Sequence, residues 1–144
     1  MAEAILTRQQ RMAHANALLE SISRHGRRFF YYDRRQRVAS FEIDLAGRLW
    51  FRDDYTWKRV YVAYSGWWRH FSHGGTMRRL VDDLATYIRT GERIWRGHFG
   101  PWPMHFCDGD LWSYGTDAME ALRSEIAASP CLRVAPTTPT RETA

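Results

Sequence analysis

Apolar positions along the chain change their period twice. Over residues 3–24, Ile5, Leu6, Met12, Leu18, Leu19 and Ile22 fall on one side of a helical wheel, Arg8, Gln9, Arg11, Glu20 and Arg24 fall elsewhere, and Gly26 supplies a stop. That spacing predicts a helix. The period then shortens. RFFYYD, VASFEIDL, LWFRD, DYTWKR, VYVAY and WWRHF are short β-prone runs broken by RRQR, AGR and SG, which predicts an antiparallel meander of four or five strands from about Arg28 to Phe71. VASFEIDL is the clearest run: Ala39, Phe41, Ile43 and Leu45 alternate with Ser40, Glu42 and Asp44, giving one apolar and one wet face.

After Phe71 the helical period returns. Leu80, Val81, Leu84, Tyr87 and Ile88 form one stripe, with Thr76 as the expected N-cap, Asp82 and Asp83 early and Gly91 as the stop. Met119, Leu122 and Ile126 mark a last helix from about Thr116 to Ala128, ending before Pro130. Phe41, Ile43, Leu80, Leu84 and Ile88 are expected to be buried together. The reading is therefore α+β: an N-terminal helix, an antiparallel meander, then two helices joined by an aromatic-rich covering segment. One domain is expected over 1–129, with 130–144 as a disordered tail lacking any apolar period.

Composition supports a core and qualifies the surface. Of 144 residues 44% are hydrophobic, with seven each of Trp, Tyr and Phe, ample for one domain. The 21 basic residues against 16 acidic give a formal charge of +5, and Lys58 is the one lysine. Guanidinium groups stack on rings and grip carboxylates or phosphates in pairs, so arginines set among aromatics suit acidic proteins as well as nucleic acids. MAEAILTRQQRMAHA is interrupted by Arg8 and Arg11 before any signal-like apolar run, and no stretch reaches membrane-span length. A cytoplasmic chain is expected, with Cys107 and Cys131 as reduced thiols and no disulfide framework.

Three stretches carry candidate chemistry. In FSHGGTMRRL, residues Ser72, His73, Gly74, Gly75 and Thr76 form a strand-to-helix turn followed by Arg78 and Arg79. Free amides and a helix dipole there would bind a phosphate or carboxylate, although the turn lacks the length and lysine of a nucleotide loop. In SRHGRRFFYYDRRQR, the residues Arg27, Arg28, Arg34, Arg35 and Arg37 surround four consecutive aromatics. Such a hairpin fits a protein partner or a single-stranded nucleic acid; the carboxylates Glu42, Asp44, Asp53 and Asp54, expected on the same sheet, favour protein.

The third stretch, GHFGPWPMHFCDGDLWSYG at residues 97–115, offers His98, His105, Cys107, Asp108 and Asp110 at spacings that match no zinc pattern. It reads as a packed cover in which Pro101 and Pro103 hold Trp102, itself a candidate partner contact. No catalytic residue, cofactor or metal is expected.

HGRRFF, FSHGGT, LATYIRTGE, HFGPWP and GDLWSYG together resemble small proteins of unknown function carried by bacteriophages and integrated mobile elements, over about residues 21–126. That resemblance implies an accessory protein that redirects or blocks host machinery, a defence complex included, by binding a host protein or nucleoprotein complex. A nucleic-acid-binding role for the arginine-rich hairpin is the alternative. A ligand or enzyme site at the Gly-Gly-Thr turn is the third reading.

Overall fold

The computed structural model describes residues 5–26, 28–63, 68–99 and 116–134. Helix α1 (Arg8–Ser23) starts where Thr7 and Gln10 cap each other reciprocally, Thr7 Oγ1 accepting the Gln10 N–H and Gln10 Oε1 accepting the Thr7 N–H. Five strands follow: β1 (Tyr31–Tyr32), β2 (Arg37–Val38), β3 (Ser40–Ile43), β4 (Leu49–Arg52) and β5 (Arg59–Tyr61). They make two antiparallel sheets, β1-β2 and β3-β4-β5. Helices α2 (Gly75–Thr90) and α3 (Thr116–Ile126) follow, with a 3-10 turn at Arg96–Phe99 between them. The α+β architecture expected from the pattern is the one found. No described helix is long and apolar enough to cross a membrane.

The three-stranded sheet has the two faces its alternation demands. Phe41, Phe51 and Val60 lie in register across it, with Leu49 beside Ile43, and all but Ile43 are buried. Against this inner face pack Leu18, Leu19 and Ile22 of α1, Leu80, Val81, Leu84, Tyr87 and Ile88 of α2, and Met119, Leu122 and Ile126 of α3, in one continuous core. Ile43 packs against that core half-buried rather than inside it.

Polar groups fix how α1 lies on the sheet. Phe41 turns its backbone away from β4 at the sheet edge, where Asn16 takes the place of a neighbouring strand: the Phe41 N–H donates to Asn16 Oδ1 (2.6 Å), and Asn16 Nδ2 donates to the Phe41 carbonyl (3.2 Å). One amide side chain thus satisfies both backbone groups of an edge residue. Arg11 Nε donates to the Ile88 carbonyl at 2.9 Å, placing a cation on the last turn of α2.

Several boundaries differ from the sequence reading. α2 begins at Gly75 with Gly74 as N-cap, so Thr76 sits inside the first turn. Gly91 closes α2 in the left-handed region (φ 85°) as expected. β3 ends at Ile43, and the turn held by Asp44 leaves Leu45 fully exposed instead of on the apolar face. Residues 54–58 of DYTWKR form a turn and its Arg59 opens β5, and of WWRHF the described residues 68–71 form no strand. The chain also packs beyond residue 129. The Ile94 N–H donates to the Cys131 carbonyl and the Arg133 N–H to the Ile94 carbonyl, burying Cys131 and Leu132.

Candidate functional site

The described helices pack on the inner face of the three-stranded sheet. On the outer face the strand period places Glu42 beside Trp50 beside Tyr61, and Ser40 beside Arg52 beside Arg59. Glu42 is the hub. Arg52 donates to both its oxygens (2.6 and 3.2 Å), and Arg59 Nε donates to Oε1 at 3.0 Å. The Arg52 hydrogen bond, seconded by Arg59, holds the Glu42 carboxyl below its usual range despite partial burial.

From that hub, cations and rings alternate across the surface. Arg52 lies 5.3 Å from the Trp57 ring and donates to the Trp57 carbonyl, and Arg37 lies 4.8 Å from the same ring. Arg37 also approaches the Tyr32 ring (5.2 Å) and donates to the Tyr55 carbonyl, and Tyr32 meets Tyr55 edge-on. On the other side Arg59 covers Trp50 (5.6 Å), whose ring lies 5.1 Å from Tyr61 and whose indole N–H donates to Asp44. The result is an unbroken band from Tyr55 to Tyr61 that joins the two sheets. Each ring–cation contact is worth about 0.5–1 kcal/mol at an exposed site.

The band stays open to solvent. Tyr55, Trp57 and Tyr61 are 60%, 40% and 42% exposed, and Leu45 is fully so. These four are among seven large apolar residues exposed in the described chain. Beside Arg59 lies an open depression lined by Ile43, Asp44, Leu45 and Ala46. Trp57 holds a left-handed backbone (φ 57°), an uncommon conformation for a bulky residue, and it carries the ring to the band's centre.

The Gly-Gly-Thr turn is itself exposed, and Ser72 and His73 just before it bond inward. Asp53, fully buried, accepts the Ser72 N–H (2.8 Å) and hydroxyl (3.0 Å) on Oδ1, and the Tyr55 and Thr56 N–H groups on Oδ2. His73 Nε2 lies 2.6 Å from Oδ1 of buried Asp54, amid the rings of Phe29, Phe30 and Phe71. The turn does hold carboxylates, but they are the chain's own. Asp53 and Asp54 therefore do not share the outer face with the arginines, as the sequence reading expected. Asp53, Asp54 and His73 lie close enough to form a metal-like cluster. The donors already filling Asp53 give that cluster a structural role.

Of the remaining candidates, Gly75, Arg78 and Arg79 line one open depression at the start of α2, together with Asp82 and Asp83. Gly74 and Gly75 start α2, Arg78 lies over the Trp68 ring (4.8 Å), and Arg79 is exposed. Arg28 covers Tyr31 (4.1 Å), while Arg34 and Arg35 project from the β1–β2 turn. Of the hairpin arginines named, Arg37 enters the band; Arg27, like Trp102, His105, Cys107, Asp108 and Asp110, lies outside the described residues. His98 is buried with Nε2 2.7 Å from Asp83. Sequence reasoning missed Trp50, Arg52, Trp57, Arg59 and Tyr61. The parity of LWFR carried the signal, since Leu49 and Phe51 inward require Trp50 and Arg52 outward.

Comparison with known proteins adds a lineage. The sequence matches the family described as YoqU over residues 6–131. It is 36% identical over 85 residues to the SPbeta prophage-derived uncharacterized protein YoqU of Bacillus subtilis (strain 168). That match covers 58% of this chain and spans 61% of the length of the curated relative. No solved structure matches the chain.

Proposed function

Because the chain belongs to the YoqU family, whose matched relative is prophage-derived, we propose that it is a phage accessory protein that binds and modulates a host protein without catalysis. The observation that supports this reading is the arginine–aromatic band on the outer sheet face. Tyr, Trp and Arg are the residues that dominate binding energy at protein interfaces, and here they are held in place by mutual stacking and by Glu42. Preorganised side chains lose little freedom on binding, so more of the contact energy appears as affinity. Occupying a host surface is a task such a face performs by itself. Inhibition of a defence complex is one form it would take.

One observation favours nucleic acid instead: Trp50, on the central strand beside Tyr61, stands where base-stacking sheets place their rings. Two features weigh against it. Glu42 fixes a carboxylate in the middle of the platform, and guanidinium groups already cover Trp50 and Trp57. At the Gly-Gly-Thr turn Ser72 is already bonded to Asp53, and the depression that Gly75, Arg78 and Arg79 line also carries Asp82 and Asp83, carboxylates that disfavour an anion.

The test is capture from a nuclease-treated bacterial lysate by the tagged protein and by Trp57→Gly, which removes the ring and suits the left-handed backbone. The expected result is one host protein held in stoichiometric amount by the parent and lost by the variant. Retention that disappears with nuclease, or that ignores Trp57, overturns the reading.

A further inference from the structure

Resting on that binding role, we infer that the partner segment seated on the band is acidic: a short carboxylate-rich stretch of protein carrying an apolar side chain. The charge around the outer face is uneven. Arg52 and Arg59 flank the central carboxylate of Glu42 and Arg37 lies across the Trp57 ring, while Asp44, which shares the depression beside Arg59, is engaged by Arg48 and the Trp50 indole. An anionic partner is the complement of that excess.

The donors left over decide which anion. Arg52 is consumed, with Nε and Nη2 on Glu42 and Nη1 on the Trp57 carbonyl. Arg59 engages Nε alone, and its two terminal nitrogens have no hydrogen-bond partner among the described residues. Arg37 gives Nη2 to the Tyr55 carbonyl, while its buried Nε has no hydrogen-bond acceptor. Glu42 already shows how this face takes a carboxylate, between two guanidinium forks. A second carboxylate meets Arg59 from the solvent side in the same way.

Stacking argues against a base at the same place. Trp57 has Arg37 and Arg52 against its ring, and Trp50 has Arg59 and Tyr61. A base would have to displace a guanidinium from each, while its phosphate met Glu42. A carboxylate displaces nothing, since it binds the guanidinium edge rather than its face. The depression beside Arg59, lined by Ile43, Leu45, Ala46 and an Asp44 whose oxygens are already taken by the Ala46 and Arg48 N–H groups and the Trp50 indole, accepts an aliphatic side chain next to that carboxylate.

The experiment is fluorescence anisotropy on the full chain with three labelled probes. They are a peptide of Asp and Glu with a central leucine, its Asn and Gln counterpart, and a single-stranded oligothymidylate. Expected are binding of the acidic peptide, at least about tenfold weaker binding of the amide counterpart, and a similar loss in Arg59→Ala. Arg59 is exposed, and an unchanged circular dichroism spectrum confirms that the variant is folded. Equal binding of acidic and amide peptides, no peptide binding, or insensitivity to Arg59 overturns the inference. If those failures come while Trp57-dependent capture of a host protein persists, the binding role stands and the acidic chemistry falls. Tighter binding of the oligothymidylate overturns both.

Discussion

Asp53 shows how one residue can organise a function it does not perform. Its two oxygens accept from Ser72, Tyr55 and Thr56, which fixes the β4–β5 turn that carries Tyr55 and Trp57 into the band. Removing the fully buried carboxylate takes the acceptor from four part-buried donor groups at once, so Asp53→Ala is expected to cost about 3 kcal/mol by urea denaturation. A loss under about 1 kcal/mol would mean that water replaces the carboxylate without penalty. Glu125 makes a separate prediction. Hydrogen bonds from Ser21 first, then His25 and Arg24, lower its pKa from 4.5 to about 2. A depressed carboxylate contributes stability that is complete above its unfolded value and is lost as pH falls through 4.5 toward about 2. Melting temperature followed across that acid range should therefore fall less steeply in Glu125→Gln than in the parent, and parallel profiles would remove Glu125 from the account.

Elements were legible where a local rule acts alone. The α2 stripe from Leu80 to Ile88 and the Gly91 stop could be read because helical burial and a left-handed terminator need only neighbours in sequence. The N-cap could not: Thr76 fits the preference, yet the extended backbone at Gly74 starts the helix two residues earlier and no side chain caps it. Gly74→Asp should therefore gain a few tenths of a kcal/mol by chemical denaturation, since a Cβ there meets nothing within 4 Å. Gly91→Ala should lose about 1 kcal/mol at φ 85°. A Gly74→Asp variant no more stable than the parent would show that water caps the helix equally well. The band was harder to read because it combines strand parity with a turn. Trp50 and Arg52 follow from alternation, whereas Trp57 reaches them through a left-handed turn taken for a strand. Asp53 and Asp54 read as carboxylates sharing the sheet with the arginines because Ser72 and His73, which bury them, lie 19 residues away.

At the scale of the whole molecule, the core is one-sided. α1, α2 and α3 share a single cluster with the sheet's inner face, and that cluster includes Cys131 and Leu132 after α3. Nothing in it divides into separately stable parts, because the short strands present an apolar face that only the helices cover. Unfolding should be all-or-none. Cys131 gives a reporter independent of spectroscopy: burial pushes its thiol up to about 11, so both access and thiolate fraction are low while the fold persists. In a Cys107→Ser background it is the one remaining thiol. Its labelling by a disulfide reagent in rising urea should follow the same transition as tryptophan fluorescence and far-ultraviolet circular dichroism. Labelling that begins well before the helical signal falls would show that the segment around Cys131 opens on its own, and the core would then have to be described without its C-terminal strap.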